Sequence, residues 1–429
     1  MPTGSAVRVS PSSTSSRAET PAAASEPVRP ANVRPLTVLL VVPTLDTGAA
    51  DAGALDIVRI LADAGHRAIV MSRGGRMEKD VWTAGGEFVF AEVDSKNPFV
   101  MLRNAAAIAR MARERGCDII HAHGRAPAWS AYIAARVTRL PFLTSWYKGF
   151  REQNFLKRIY NSVMIRGDRI VAPSDQIADL IVERYGVGND HIEVIPVGVD
   201  VGRFDPDTVT AERIEAVRKR WGVGANAKVI LVVGRLVRRK GHHIVVQAAQ
   251  RLKDMGVKDF VCVFAGEDQG RSRYSGELWD LVVATNTADV VRITGPCDDL
   301  PALYAAASVV VSAATQPEGL QRSILEAQAM GRPVIASDLG AGPEVLLAPP
   351  AVSEDRMTGL RFSSGDAAGL ATALVRLFSL PVPVRQAIGA RGREWVKSHF
   401  NPPAVAELTL KLYAETAKAR RSPVPPQNR

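Results

Sequence analysis

The amino-acid sequence predicts an α/β protein made of two doubly wound domains in series. Three observations carry that prediction. The chain has 429 residues, about three times the roughly 150 residues of a common single domain. Continuous Val- and Leu-rich runs, the mark of strands covered on both faces of a parallel sheet, alternate with helical patterns. The alternation stops and then restarts, which places a domain junction near Val201.

The first run, Leu36 to Leu45, reads as a buried strand. It leads through Gly48 and Gly53 into a helical pattern over Ala54 to Ala64, with Leu55, Val58 and Leu61 on one face. Strands follow at His66 to Ser72, Asp118 to His121, Phe142 to Trp146 and Arg169 to Pro173. Between and after them, helices are predicted at Phe99 to Arg115, Ala128 to Thr138 and Ser174 to Tyr185, the last with Ser174 as its N-cap. Pro196, Gly198, Gly202 and Pro206 break this rhythm. Beyond them Lys228 to Val233 is a strand, Gly234 to Gly241 a basic loop bounded by glycines, and His243 to Leu252 a helix. Strands at Phe260 to Ala265, Val290 to Thr294, Ser308 to Ser312 and Pro333 to Ala336 then flank helices at Leu300 to Ala306 and Ser323 to Met330. Each half is thus Rossmann-like, and in open α/β sheets ligands lie at the carboxyl ends of the strands. Two such halves facing each other place the ligand in the cleft between them.

Composition excludes several classes. Hydrophobic residues make up 46%, charged residues 23% and aromatics 6%, as in an ordinary globular protein. Cys117, Cys262 and Cys297 are odd in number and far apart, so neither a disulfide framework nor CxxC spacing arises, and a cytoplasmic setting fits. Residues 1–35 and 420–429 are rich in Ser, Pro, Ala or basic residues and read as disordered tails. No secretory signal or membrane-spanning run is expected. The net charge of +10 suggests an anionic partner. Its excess lies in the first domain, where Asn97 to Arg169 holds thirteen Lys and Arg against four Asp and Glu. A solvated helix face and an anionic membrane surface both fit that stretch, while nucleic acid does not, since no recognition module or aromatic-interleaved basic stripe accompanies it.

Two constellations could carry chemistry. In the first, Gly234 lets the backbone approach a ligand, and Arg235 and Lys240 add cations next to a helix N-terminus. A diphosphate site and a solvated basic loop remain open there, since Arg238 and Arg239 share the stretch. The spacing matches neither GxGxxG nor GxxxxGK[ST]. In the second, Glu318 and Glu326 stand eight positions apart in apolar surroundings, where a buried carboxylate needs a hydroxyl, amide or cation. Asp205 and Asp207 straddle Pro206 in a turn rather than a metal site, and His121 and His123 lack a third ligand at metal spacing. His242 and His243 read as surface residues.

The order Gly234-Arg235, Lys240-Gly241, Ala265-Gly266-Glu267, Glu318 and then Glu326 through Ala336 resembles that of glycosyltransferase family 4, from about Leu36 to Tyr413. The stretches Asp118 to Ser130, Val194 to Asp200 and Gly266 to Arg271 look like a bacterial branch that builds cell-surface polysaccharide or lipopolysaccharide. The resemblance implies the GT-B fold and a retaining, metal-independent transfer of a sugar from a nucleotide donor to a glycan or lipid-linked acceptor, with no cofactor. It implies that Arg235 and Lys240 grip the diphosphate, that Glu318 contacts the sugar and that Glu326 holds the ribose. Gly234, Gly266, Gly319, Leu320 and Gln321 complete the donor side, and Gly48, Ala49, His123 and Lys148 the acceptor side. The expected layout is an acceptor-side domain over 36–200, a nucleotide-sugar domain over 201–400 and a helix over 401–419 returning to the first domain. A place on the cytoplasmic face of the inner membrane follows if the basic stretch rests on lipid.

Three departures stand out. Gly48-Ala49 replaces the family's Gly-Gly, Tyr147-Lys148-Gly149 stands where many relatives have His-Gly, and Leu320-Gln321 replaces Phe-Gly. They keep open a nucleotide-sugar epimerase of the same fold and a binding paralogue without turnover.

Overall fold

The computed structural model describes residues 34–46, 48–147, 155–224, 226–268, 270, 272–340 and 342–419. The tails expected over 1–35 and 420–429 lie outside these residues, except for 34 and 35, and so does Lys148.

Two parallel sheets organise the chain. The first has seven strands: β1 (Thr37–Val41), β2 (Arg67–Ser72), β3 (Glu87–Phe90), β4 (Ile119–Ala122), β5 (Phe142–Ser145), β6 (Arg169–Ala172) and β7 (Ile192–Val194). They lie in the order β3-β2-β1-β4-β5-β6-β7. The second has six: β8 (Lys228–Val233), β9 (Phe260–Ala265), β10 (Val291–Gly295), β11 (Val309–Ser312), β12 (Val334–Ser337) and β13 (Gly359–Phe362). Their order is β10-β9-β8-β11-β12-β13. Every residue of β1, β4, β5, β9, β11 and β12 is buried, which is why these strands read as unbroken apolar runs. In each sheet the connection reverses direction once, between β1 and β4 and between β8 and β11. Loops diverge at these switch points and leave a crevice at the carboxyl ends of the strands.

β3, β7 and β13 were not foreseen. All three are short sheet edges. β3 and β7 are only partly covered and so lack the continuous apolar signal of a central strand, while in the largely buried β13 a glycine and Arg361 interrupt a four-residue run. The first helix spans Ala49–Asp63 rather than beginning at Ala54. Asp51 explains the earlier start: its carboxylate accepts the Gly48 N–H at 2.9 Å and the Asp46 N–H at 3.0 Å, satisfying donors that a helix N-terminus leaves open.

The chain crosses between the sheets twice, and the two crossings touch. The Val199 N–H donates to the Phe400 carbonyl at 2.9 Å, and Arg393 pairs with Asp205 at 2.9 Å. Asp205 also caps the turn Pro206–Thr208, so its carboxylate is engaged structurally. The last helix, Pro402–Ala419, packs on the first sheet, with Val405, Leu412 and Tyr413 in a core shared with Leu40, Val70 and Leu143. Further contacts join the halves at the cleft. Arg322 pairs with Asp56, Arg76 pairs with Glu267 at 2.9 Å, and Glu344 accepts the Gln176 N–H at 2.9 Å. Among the described residues no single helix is long and apolar enough to cross a membrane.

Candidate active site

The second sheet's switch point gathers Gly234, Arg235, Lys240 and Glu318. β8 ends at Gly234, whose φ of 140° takes the backbone into a region side chains disfavour. A Cβ on Gly266, at the end of β9, would lie 2.0 Å from the Gly234 carbonyl oxygen, so the two loops pack main chain to main chain. The turn Arg238–Lys240 ends at Gly241, which sits against the Ala313 carbonyl just beyond β11. That contact brings the basic loop beside the loop that carries Glu318. Lys240 Nζ lies 2.6 Å from Glu318 Oε2, and Arg239 pairs with Glu318 Oε1. Burial, then Arg239 and Arg235, lower the Lys240 ammonium to about 7, against the pull of the carboxylate in contact.

The helix Arg322–Ala329 starts from the same loop. Gln321 at its N-cap is buried and accepts from the Ser312 hydroxyl, while Leu320 packs partly into the core. Both side chains that replace the family's Phe-Gly are therefore directed into protein structure. Gly319 is required where it stands: a Cβ would lie 2.3 Å from the Tyr147 carbonyl oxygen. Glu326, two turns away from Glu318 in sequence, accepts from the Tyr304 hydroxyl at 2.7 Å. Burial raises its carboxyl above the ordinary range, opposed by the Tyr304 hydrogen bond and by Arg322 and Arg203.

The first sheet's switch point faces these groups with the loops after β1 and β4. Gly48 and Ala49 form the start of the helix Ala49–Asp63, and Asp51 is buried beneath them with its pKa raised by burial. His123 follows β4 and is fully buried, with Nδ1 2.6 Å from the Tyr147 hydroxyl. Burial lowers its pKa to about 3, which keeps the imidazole neutral at physiological pH. Of the acceptor-side residues, Gly48, Ala49 and His123 thus come to one crevice. The residue after β5 that touches the donor-side loop is Tyr147.

Two family descriptions match the chain: Glycosyltransferase Family 4 over residues 51–203 and Glycosyl transferases group 1 over residues 227–379. A glycosyltransferase of Rickettsia africae is 31% identical, with a TM-score of 0.81, covering 90% of this chain and 100% of that one. The chain belongs to glycosyltransferase family 4. Its two sheets are the halves of a GT-B fold. This family 4 protein is also 29% identical over 322 residues to the D-inositol 3-phosphate glycosyltransferase of Salinispora tropica. That match takes in 73% of this chain and 62% of the relative's length. An Anabaena protein solved with UDP-glucose shares the fold, with a TM-score of 0.76 at 21% identity, covering 90% of this chain and 100% of that one.

Three residues in contact with the candidate site of this family 4 protein were given no role in the sequence. Arg239 looked like one more cation of a solvated loop, yet it holds Glu318. Tyr304, in the helix Leu300–Ala305, carries no motif and is recognisable only by its bond to Glu326. Tyr147 stood in the Tyr147-Lys148-Gly149 departure without a role of its own, and a second signal was Gly53, in mid-helix, where a Cβ would lie 2.6 Å from the Tyr147 hydroxyl. His242 is a correction. It is fully buried rather than on the surface, edge-on to Phe264 with centroids 5.2 Å apart, because it falls on the inward face of the helix His242–Asp254.

Proposed function

We propose that this protein transfers a sugar from a nucleotide-diphosphate donor to a glycan or lipid-linked acceptor, with retention of anomeric configuration. The observation that carries this reading is the contact of Lys240 and Arg239 with Glu318 at the switch point of the second sheet. An anion is already held there by protein cations. In transfer, the bond from the sugar's anomeric carbon to phosphate breaks and a bond to an acceptor oxygen forms. The electron pair goes to the diphosphate, which takes up the acceptor's proton. Arg235 and Lys240 stabilise the charge on that leaving group, in the role a metal plays elsewhere, and the amides from Gly319 to Gln321 add donors. Glu318 contacts the sugar and Glu326 the ribose hydroxyls, while Gly234 admits the diphosphate close to the main chain and Gly266 supports that loop by packing on the Gly234 carbonyl. Gly48, Ala49, His123 and Lys148 form the acceptor side.

The test is release of nucleoside diphosphate from a panel of donors, with membrane glycolipid extract, with inositol phosphate, or with neither. Release that needs one of the acceptors supports transfer. Epimer or free sugar formed without an acceptor points to the epimerase, and tight donor binding with no release in any arm, unchanged by Glu318→Ala, points to the paralogue without turnover.

We place the acceptor at the cytoplasmic face of a bacterial inner membrane, in polysaccharide or lipopolysaccharide assembly. Phe99 (83% exposed), Leu102, Phe155 (73%) and Leu156 support this, carried by two helices that flank the helix Arg125–Thr138 among the basic residues of that stretch. Ser130 bonds the Met101 carbonyl on one side, and Trp129 bonds the Tyr160 carbonyl on the other. Basic residues with apolar tips bind anionic bilayers. Sedimentation with anionic vesicles should exceed that with neutral ones and fall with salt, and Phe155→Ser with Leu156→Ser should lower it. Equal binding to both vesicle types removes this placement.

A further inference from the structure

Glu326 is held by an aromatic pair that belongs to neither the diphosphate loop nor the sugar loop. The Tyr304 hydroxyl donates to Glu326 Oε2 at 2.7 Å, and Tyr304 itself is fully buried in the core of the second domain. Its ring meets that of Phe204 edge to face, with centroids 6.0 Å apart. Phe204 comes from the first crossing between the sheets and is fastened there by its main chain. Its N–H donates to the Asp200 carbonyl at 2.9 Å, and its carbonyl accepts from Arg393 at 3.2 Å. The same guanidinium pairs with Asp205 and donates to the carbonyl of Ala329, the last residue of the helix that carries Glu326. The carboxylate and the end of its helix are therefore both tied to the crossing.

The two oxygens of Glu326 are unequal. Oε2 is taken by the phenol, while Oε1 meets no hydrogen-bond partner among the described residues and the residue is only half-buried. A glutamate side chain on a helix turns about three torsions, and a charge-assisted bond to a group fixed in the core removes much of that freedom. With Oε2 engaged, Oε1 is the atom left to accept from a ligand hydroxyl. An acceptor placed in this way discriminates, because a ligand without the hydroxyl leaves it unpaired on closure of the site.

We propose that Tyr304 is a positioning residue which, braced by Phe204, holds Glu326 with Oε1 presented to the ribose hydroxyls and so sets a preference for ribonucleotide over deoxyribonucleotide donors. The proposal rests on the transferase reading for the identity of the ligand alone. Its structural content is read without ligand, by carboxyl-carbon NMR of the full-length protein, with Glu326→Gln assigning the signal. Glu326 should titrate at higher pH in Tyr304→Phe than in wild type, since the lost bond lowers it, while Arg322 and Arg203, which also lower it, remain. Identical titrations overturn the positioning role. Specificity is read by calorimetry with UDP, ADP and GDP beside their dideoxy forms, which lack both ribose hydroxyls. Wild type should bind the ribo form about tenfold or more tightly than the dideoxy form. In Tyr304→Phe, which keeps the ring against Phe204, that ratio should fall to about two, with dideoxy affinity within about twofold of wild type. A loosened domain would weaken both forms alike, so equal losses, or an unchanged ratio, overturn the proposal. In a Glu326→Gln background Tyr304→Phe should change the ratio no further, because both changes act on one contact. Equal binding of the two forms by wild type overturns the ribose preference. If wild type binds none of these nucleotides, the donor reading and the preference fail together, and the Glu326 titration still decides whether Tyr304 holds the carboxylate.

Discussion

Lys240→Ala will lower turnover by about a hundredfold or more, the usual effect of removing one group that stabilises charge on a departing anion, roughly 3 kcal/mol. Before the donor binds, Lys240 is held by Glu318 at 2.6 Å and Arg239 holds the same carboxylate. In the proposed reaction a diphosphate, which carries more charge than a carboxylate, would displace it, so that the cations change partners while Glu318 is released toward the sugar. Lys240→Ala removes one of the two cations on Glu318 and, under the proposed function, a diphosphate ligand. The loss should therefore appear in kcat/KM and not in KM alone. Lysine brings a pH dependence that arginine lacks. Burial and the neighbouring guanidiniums lower the free-state pKa to about 7, and a bound diphosphate raises it, so the donor selects the protonated form. Donor affinity should be full below pH 7 and fall by about tenfold per unit as pH rises above it, until the pKa of the complex is reached. Lys240→Arg stays charged throughout and should flatten that profile. Calorimetric donor titrations from pH 6 to 9 decide it: a flat wild-type profile rejects the lowered lysine, and a Lys240→Ala protein with near-normal kcat/KM rejects its role.

The fold was most legible where long apolar runs are fully buried. Lys228 to Val233 and Phe260 to Ala265 are strands with the bounds their apolar runs suggest. Where only one face is covered the signal fades, as at Glu87–Phe90, whose residues are half-buried or exposed. Glycine was ambiguous for a physical reason. Gly48 and Gly53 look alike in the sequence, yet one precedes a helix and the other lies inside it to make room for Tyr147. The cationic loop and the two glutamates could be found by residue type. Their meeting could not, since Lys240 and Glu318 are 78 residues apart and no periodicity reports a contact made by two loops at a switch point. The same limit hid Arg239, whose role differs from that of Arg238 by which side of one turn it occupies: Arg238 pairs with Glu277 and Arg239 with Glu318.

Gly241→Ala should be among the most damaging single changes outside the charged residues. Two separate costs act there. The backbone has φ of 72°, which costs an L side chain about 1–2 kcal/mol. The added Cβ would also lie 1.7 Å from the Ala313 carbonyl oxygen, a main-chain atom of the loop beyond β11 that has no rotamer to escape into. Gly256 separates the two costs. Its φ is 75° and nothing lies within 4 Å of a Cβ placed there, so Gly256→Ala should show the backbone cost alone. Gly241→Ala should lose about 3–5 kcal/mol, in the range reserved for overpacking and special backbone conformations. Relief requires the basic turn to move away from Ala313, and Arg239 and Lys240 move with it. The denaturant midpoint of the second domain should therefore fall much further for Gly241→Ala than for Gly256→Ala, and only the former should lose donor affinity. Equal midpoint shifts in the two variants would show that the Ala313 contact yields without resistance. The close packing of the basic loop on β11 would then not be what brings Lys240 to Glu318.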